Sequence, residues 1–354
     1  MTTAILRTAW AALRAYGKKC VNINPVSLAQ GLIILWVVAL IASTAAVVIV
    51  EILIILCILA FRQLRRKLFM AMKQPMVILA LVIYAMVTVG IFYGVAPFSE
   101  SVDLWASWRK MLLVPIVAAV YTDPLWKQRF IGIFIGITAL CAVLSFAGFF
   151  MGSGIKNFPG IVIHNWAAQG MLFSVALFAC LVLLRSPLPG FLINGRLLAA
   201  SAALLAANII LVTPGRSGYL ALIVLVTAFV LWGIPRRAKI IAMLLAPAVI
   251  IALLMVSPVA QERVLLVIEE TKNYEQDPVA TSIGLRLILW KNTITLLKKW
   301  ERPFFGYGTA GFATAYAELV EEKAKASEER RWQDWAIHDP HNQFLSILVE
   351  YGLV

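Results

Sequence analysis

Residues 75–95 read PMVILALVIYAMVTVGIFYGV, twenty-one consecutive positions without a charge. A helix that crosses a bilayer needs roughly 20 mostly apolar residues, and this run supplies them. Its apolar residues are continuous and do not alternate, so the run reads as a helix and not as a barrel strand. Only helices and closed barrels satisfy their backbones in lipid. The same reading extends outward along the chain. Spans are expected at 25–43, 45–61, 75–95, 107–121, 130–150, 166–184, 197–212, 217–234 and 238–256. A tenth is expected to start near 341 and to run on through Val354. The first two spans are so close that they form a tight hairpin.

Composition points the same way. The chain has 354 residues, 62% hydrophobic and 14% charged, where a soluble domain is about half apolar and a quarter charged. The expected fold is an all-α polytopic integral membrane protein of about 10 spans. Residues 1–257 read as a transmembrane bundle with a basic N-terminus, 258–340 as a large loop domain, and 341–354 as the start of a further span. A net charge of +13 would suggest nucleic acid in a soluble protein. Here basic loops explain it, and no nucleic-acid partner is expected; the surrounding partners are membrane lipids. Cys20, Cys57, Cys141 and Cys180 are isolated, so neither a disulfide framework nor a zinc site is suggested. No cleavable signal peptide is evident, and Arg7, Arg14, Lys18 and Lys19 read as a cytoplasmic amphipathic lead-in.

Charge then orients the spans. With the N-terminus inside, sixteen Lys and Arg fall on the cytoplasmic side, including Arg62, Arg65, Arg66, Lys67, Arg236 and Arg237. The short outer segments hold only Arg109, Lys110, Lys156 and Arg216. That asymmetry sets the orientation. Residues 258–337 carry 11 Lys/Arg and 12 Asp/Glu, a nearly neutral outer domain. Leu285, Leu289, Leu296 and Trp300 lie near helical spacing, and Glu318 to Trp335 reads as a charged, solvated helix.

The cations that break the pattern are the candidates for chemistry. Arg216 follows Pro214 and Gly215, which end one helix where the next begins. A helix start offers unpaired N–H groups and a positive dipole end, and a guanidinium there suits a phosphate; an interfacial snorkelling arginine is the alternative. Arg109 and Lys110 follow the interface tryptophans Trp105 and Trp108 and could contact a phosphate or a lipid head group. Arg286 is the lone charge in an apolar run, and buried it would need an anionic partner. The densest cluster is His338-Asp339-Pro340-His341-Asn342, where the outer domain re-enters the membrane. Histidine is the usual general base near neutrality, Asp339 could hold its tautomer, and Pro340 favours a helix start nearby. His164-Asn165 is a smaller polar pair, read as a packed, hydrogen-bonded histidine. No metal ligand set and no cofactor is expected.

No Walker motif, no Gly-x-Gly-x-x-Gly after a strand and no Asp-x-Asp pair is present, which disfavours an ATP-driven transporter and a nucleotide-sugar transferase. A secondary transporter would place polar groups near the midplane, whereas these gather at one face. A scaffold protein would leave the misplaced cations unexplained.

The chain resembles the bacterial O-antigen ligase and polymerase group. Arg216 to Leu220 matches Arg-x-x-x-Leu. His341-Asn342, nine residues (Gln343 to Tyr351) and Gly352-Leu353-Val354 match the family's second motif up to its last position. The family has about twelve spans, so further helices are expected after Val354. The resemblance implies a metal-independent, inverting glycosyltransferase of the GT-C-like membrane class, in the bacterial inner membrane with a periplasmic active site. It would transfer polysaccharide from undecaprenyl pyrophosphate to lipid A–core. Arg216 and Arg286, helped by Arg109 and Lys110, would hold the pyrophosphate. His338 or His341 would be the base, supported by Asp339, Asn342, His164 and Asn165. The resemblance itself leaves a polymerase and a protein O-oligosaccharyltransferase as alternatives.

Overall fold

Pro25, Pro75 and Pro124 each open a helix, where a missing N–H costs nothing and the fixed φ fits the first turn. Asn24, Asp123, Asn165 and Asn194 cap helices through side-chain oxygens that accept from backbone N–H groups 2.8–3.0 Å away. The computed structural model describes residues 24–155, 158–188, 191, 193–233, 235–256, 258, 261, 265, 282–298, 303–326 and 340–353, and these contain helices and no strand. The helices are α1 (Pro25–Ala42), α2 (Thr44–Ala60), α3 (Arg62–Ala71), α4 (Pro75–Tyr93), α5 (Phe98–Trp108), α6 (Leu113–Val120) and α7 (Pro124–Phe150). They continue with α8 (Trp166–Arg185), α9 (Gly195–Leu211), α10 (Arg216–Gly233), α11 (Lys239–Val256), α12 (Ser282–Lys298), α13 (Gly311–Ala326) and α14 (Gln343–Tyr351).

Two compact units form: residues 1–71 with 117–251, and residues 72–116 with 252–354. Packing thus groups residues 72–116 with the loop domain, across the division at 257/258 that hydropathy suggests.

In the first unit α8 packs against α7, α9 and α10. Gly170 of α8 and Gly218 of α10 make the closest approach: a Cβ on Gly218 would lie 2.8 Å from the Gly170 Cα, so no other residue fits. The hairpin of α1 and α2 closes with Trp36 Nε1 donating to Glu51 Oε1 at 3.2 Å. That bond gives the one acidic residue deep in these helices, 6% exposed, a partner in an apolar setting.

In the second unit α12, α13 and α14 enclose a core of Leu289, Leu296, Phe312, Tyr316, Leu319 and Val349. Asn292 Nδ2 donates to the Tyr316 hydroxyl at 3.1 Å, and Lys323 donates to Asn292 Oδ1. Burial pushes the Tyr316 phenol above its ordinary pKa. The loop Pro303–Ala310 threads this unit. Tyr307 N donates to Val349 O at 3.0 Å, Gly308 N to Glu350 O at 2.7 Å, and Thr309 N to Gly90 O at 3.1 Å.

The protein is a membrane protein of apolar helices. Ile49, Leu56 and Leu59 on α2, and Met76 and Phe92 on α4, are all more than half exposed. Such rows are costly in water and solvated by lipid. By length and composition three described helices can cross a membrane: Pro75–Tyr93, Pro124–Phe150 and Trp166–Arg185. The pair Thr44–Ala60 and Arg62–Ala71, bent by 101°, would make a fourth. That measure among the described residues stops short of the expected ten, for identifiable reasons. Pro25–Ile41, Gly195–Leu211 and Ser217–Trp232 are apolar but shorter. At 1.5 Å per residue, seventeen residues reach only about 25 Å. The run expected at 107–121 is not one helix: Arg109–Leu112 is a 3-10 turn and α6 has eight residues. Where the tenth span is expected to start, the described helix is short. Helix α14 has nine residues and ends at Gly352, whose φ of 78° turns the chain so that Leu353 N bonds Pro303 O.

The charged helix of the loop domain begins earlier than expected, at Gly311, because Phe312, Ala315, Tyr316 and Leu319 bury one face. Residues 327–335, Trp300, Lys156, the N-terminal cations and Cys20 lie outside the described residues.

Candidate active site

Helix α14 carries the second motif. Asn342 sits just ahead of it with an extended backbone, and its Oδ1 accepts from Phe344 N at 3.1 Å and Leu345 N at 3.3 Å. The asparagine of the motif therefore starts the helix, satisfying two otherwise orphaned donors. His341, one residue earlier, is exposed and has φ of 52°. A non-glycine residue there carries strain of about 1–3 kcal/mol, which persists where the surroundings over-determine it. Those surroundings include Pro340, whose carbonyl accepts from Trp290 Nε1 at 3.0 Å and ties the motif to α12. His338 and Asp339 lie outside the described residues.

The same local geometry recurs at His164-Asn165. His164 has φ of 30°, and Asn165, extended, caps α8 by accepting from Ala168 N at 2.9 Å. His164 is exposed, which corrects the packed reading, but it is hydrogen-bonded: Nε2 lies 2.6 Å from Leu40 O. A carbonyl only accepts, so Nε2 carries the proton. The ring ends an apolar groove of about 760 Å³ between α1, α7 and α8.

Arg216 is the first residue of α10, and α9 stops at Leu211, as the Pro-Gly break suggests; the side chain of Arg216 lies outside what is described. A buried polar network holds this elbow. Gln169 Nε2 donates to Gly160 O at 3.0 Å, Ser145 Oγ at 3.1 Å and Thr213 Oγ1 at 3.3 Å. Gln169 Oε1 accepts from Val162 N at 2.8 Å and Ile163 N at 3.3 Å. Asn208 Nδ2 donates to Ser145 Oγ at 2.9 Å, and Thr213 Oγ1 donates to Asn208 Oδ1 at 3.0 Å. Gln169, Ser145, Asn208 and Thr213 are all 0% exposed. Sequence reading missed these four. The signal was present as single uncharged polar residues in apolar helices, which must be paired there.

Lys110 is exposed and Arg109 half-buried, with its Nη1 donating to Ala106 O at 2.8 Å. Lys110 lines a polar cavity of about 720 Å³. Helix α5 contributes Glu100, Asp103, Ser107 and Trp108, and α14 contributes Gln343, Ser346 and Glu350. Glu100, Asp103 and Ser107, like Gln343, Ser346 and Glu350, recur at three- and four-residue steps, so each trio occupies one helix face. The structure thus brings Lys110 together with the helix that Asn342 caps. Sequence reading missed the cavity's carboxylates, because Glu350 looked like part of a span. Arg286 is exposed on α12, a correction to the buried arginine the sequence suggested. Its apolar neighbours Ile288 and Leu289 face the core, leaving the guanidinium outside with no buried anion required.

Residues 201–354, which include Arg216, Arg286 and the His341-Asn342 element, match the family described as O-antigen ligase. The match supports membership of this stretch in the O-antigen ligase family. It supports an enzymatic role in general, of the ligase or polymerase kind. No curated protein and no solved structure matches the chain.

Proposed function

We propose that the protein is an O-antigen ligase of the bacterial inner membrane. In this reading it moves polysaccharide from undecaprenyl pyrophosphate to a hydroxyl of lipid A–core at the periplasmic face. The observation that carries the reading is the family match over residues 201–354, which includes both motifs.

The chemistry follows from charge. The leaving group is a pyrophosphate, and developing negative charge on it is stabilised by fixed positive groups, an effect worth about 10²–10³ in rate per donor. Arg216 at the start of α10 combines a guanidinium with the positive end of a helix. Arg286, exposed on α12, is free to meet an anion. A histidine, His338 or His341, takes the proton of the acceptor hydroxyl. The acceptor oxygen bonds the anomeric carbon as the bond from that carbon to the pyrophosphate oxygen breaks. In-line displacement inverts the anomeric centre. The donor stores the energy, so the reaction proceeds without ATP, and the arginines supply the positive charge a metal would otherwise bring.

The test is transfer by the purified full chain from undecaprenyl-pyrophosphate-linked glycan to rough lipopolysaccharide, with chelator and no ATP. Glycan on lipid A–core that is lost in His338→Ala or His341→Ala is the expected result. Lengthened lipid-linked glycan with nothing on the core would make it a polymerase, and glycan on protein a protein O-oligosaccharyltransferase. No transfer to any acceptor, with a lipid-linked or anionic substrate moved across the bilayer instead, would make it a transporter.

A further inference from the structure

The polar cavity between α5 and α14 has a composition that argues for a ligand other than the pyrophosphate. Its charged groups are Glu100, Asp103, Glu350 and Lys110, three carboxylates against one ammonium. An excess of negative charge repels a pyrophosphate. Lys110, expected from sequence to help bind that group, is outnumbered where it lies. A neutral, hydroxyl-rich ligand meets no such penalty. Its hydroxyls donate to the carboxylates in charge-assisted bonds and accept from Lys110 and the Gln343 amide. Trp108, half-buried in the wall, offers an aromatic face to the apolar C–H face of a pyranose. Glu350 is only 5% exposed yet lines the cavity. A carboxylate that buried gains from every hydrogen-bond donor that reaches it. The volume, about 720 Å³, falls within the ~300–1,000 Å³ usual for small-ligand sites.

Position selects which sugar. Helix α14 begins at Gln343, directly after His341-Asn342. In the transfer reaction the proton lost to a histidine comes from the acceptor hydroxyl, whereas the donor's reacting sugar carries the pyrophosphate this cavity disfavours. We infer that the α5–α14 cavity is the subsite for a neutral sugar of the acceptor, with Glu100, Asp103 and Glu350 reading its hydroxyls and Trp108 supporting its ring. The inference rests on the transferase reading above for the word acceptor, and on the cavity alone for the word sugar.

Two measurements on the full chain separate these. The first is binding: methyl pyranosides and inorganic pyrophosphate are titrated separately against detergent-solubilised protein by saturation-transfer NMR. Methyl pyranosides are expected to bind, and Asp103→Asn or Trp108→Ala to weaken them at least tenfold, with Trp108→Phe restoring most of the affinity. Absence of saccharide binding, or binding untouched by both variants in folded protein, overturns the subsite. The second is kinetic, with donor and acceptor varied in turn. Asp103→Asn and Trp108→Ala are expected to raise the acceptor KM at least tenfold and to change the donor KM less than twofold, while Lys325→Ala, exposed on α13, behaves as wild type. A rise in donor KM alone overturns the assignment to the acceptor. If the wild-type chain transfers nothing, the ligase reading falls, and the binding measurement still decides whether the cavity takes a sugar.

Discussion

Gly308 and Gly94 touch backbone to backbone: a Cβ on Gly308 would overlap the Cα of Gly94. Gly308 also has φ of 77°, in the left-handed region that favours glycine. This contact lets Gly308 N reach Glu350 O while Thr309 N reaches Gly90 O. It fastens the 303–310 loop to α4 and to the end of α14, and so fixes one wall of the polar cavity. Gly308→Ala is expected to destabilise the protein by more than about 2 kcal/mol. Thermal unfolding in detergent is the measurement. Gly31→Ala, with nothing within 4 Å of the added Cβ, should be neutral or stabilising by up to about 1 kcal/mol.

Asn342→Ala removes the cap of α14 and should cost about 0.5–2 kcal/mol locally. The Phe344 and Leu345 amides, which lose their acceptor, should exchange with solvent faster. Asn342→Asp preserves the cap and should restore protection. Unchanged exchange in Asn342→Ala would mean that packing of Val349 and Tyr351, not the cap, holds the helix.

Gln169→Leu breaks five hydrogen bonds at once and strands Val162 N and Ile163 N. Each buried group left unsatisfied costs about 1–3 kcal/mol, so the variant should be among the most destabilising in the first unit. Hydrogen exchange at 160–163 and along the 213–216 elbow should rise together. A rise confined to one of the two segments would show that the network does not couple them.

Arg216→Ala should lower kcat about 10²–10³-fold if the guanidinium stabilises the leaving pyrophosphate. Arg216→Lys should recover part of the rate, since an ammonium keeps the charge and loses the planar fork. Full activity of Arg216→Ala in the transfer assay would return this residue to an interfacial anchor.

Some of this architecture follows from local chemistry that any reader of the chain can see. Pro25, Pro75 and Pro124 start helices, Pro214-Gly215 break one before Arg216, and long uncharged runs such as 75–93 require lipid. Those effects act within a few residues, so periodicity and composition report them. Other features are made by chain segments distant in sequence. Lys110 shares a cavity with Glu350 because α5 and α14 face each other across 240 positions. Arg286 is exposed because Phe312 and Tyr316 claim the other side of its helix. Tyr351 ends a nine-residue helix where the 303–309 loop bonds the chain around it. An apolar run states how much surface must leave water; only packing against a particular neighbour decides whether lipid or protein covers it.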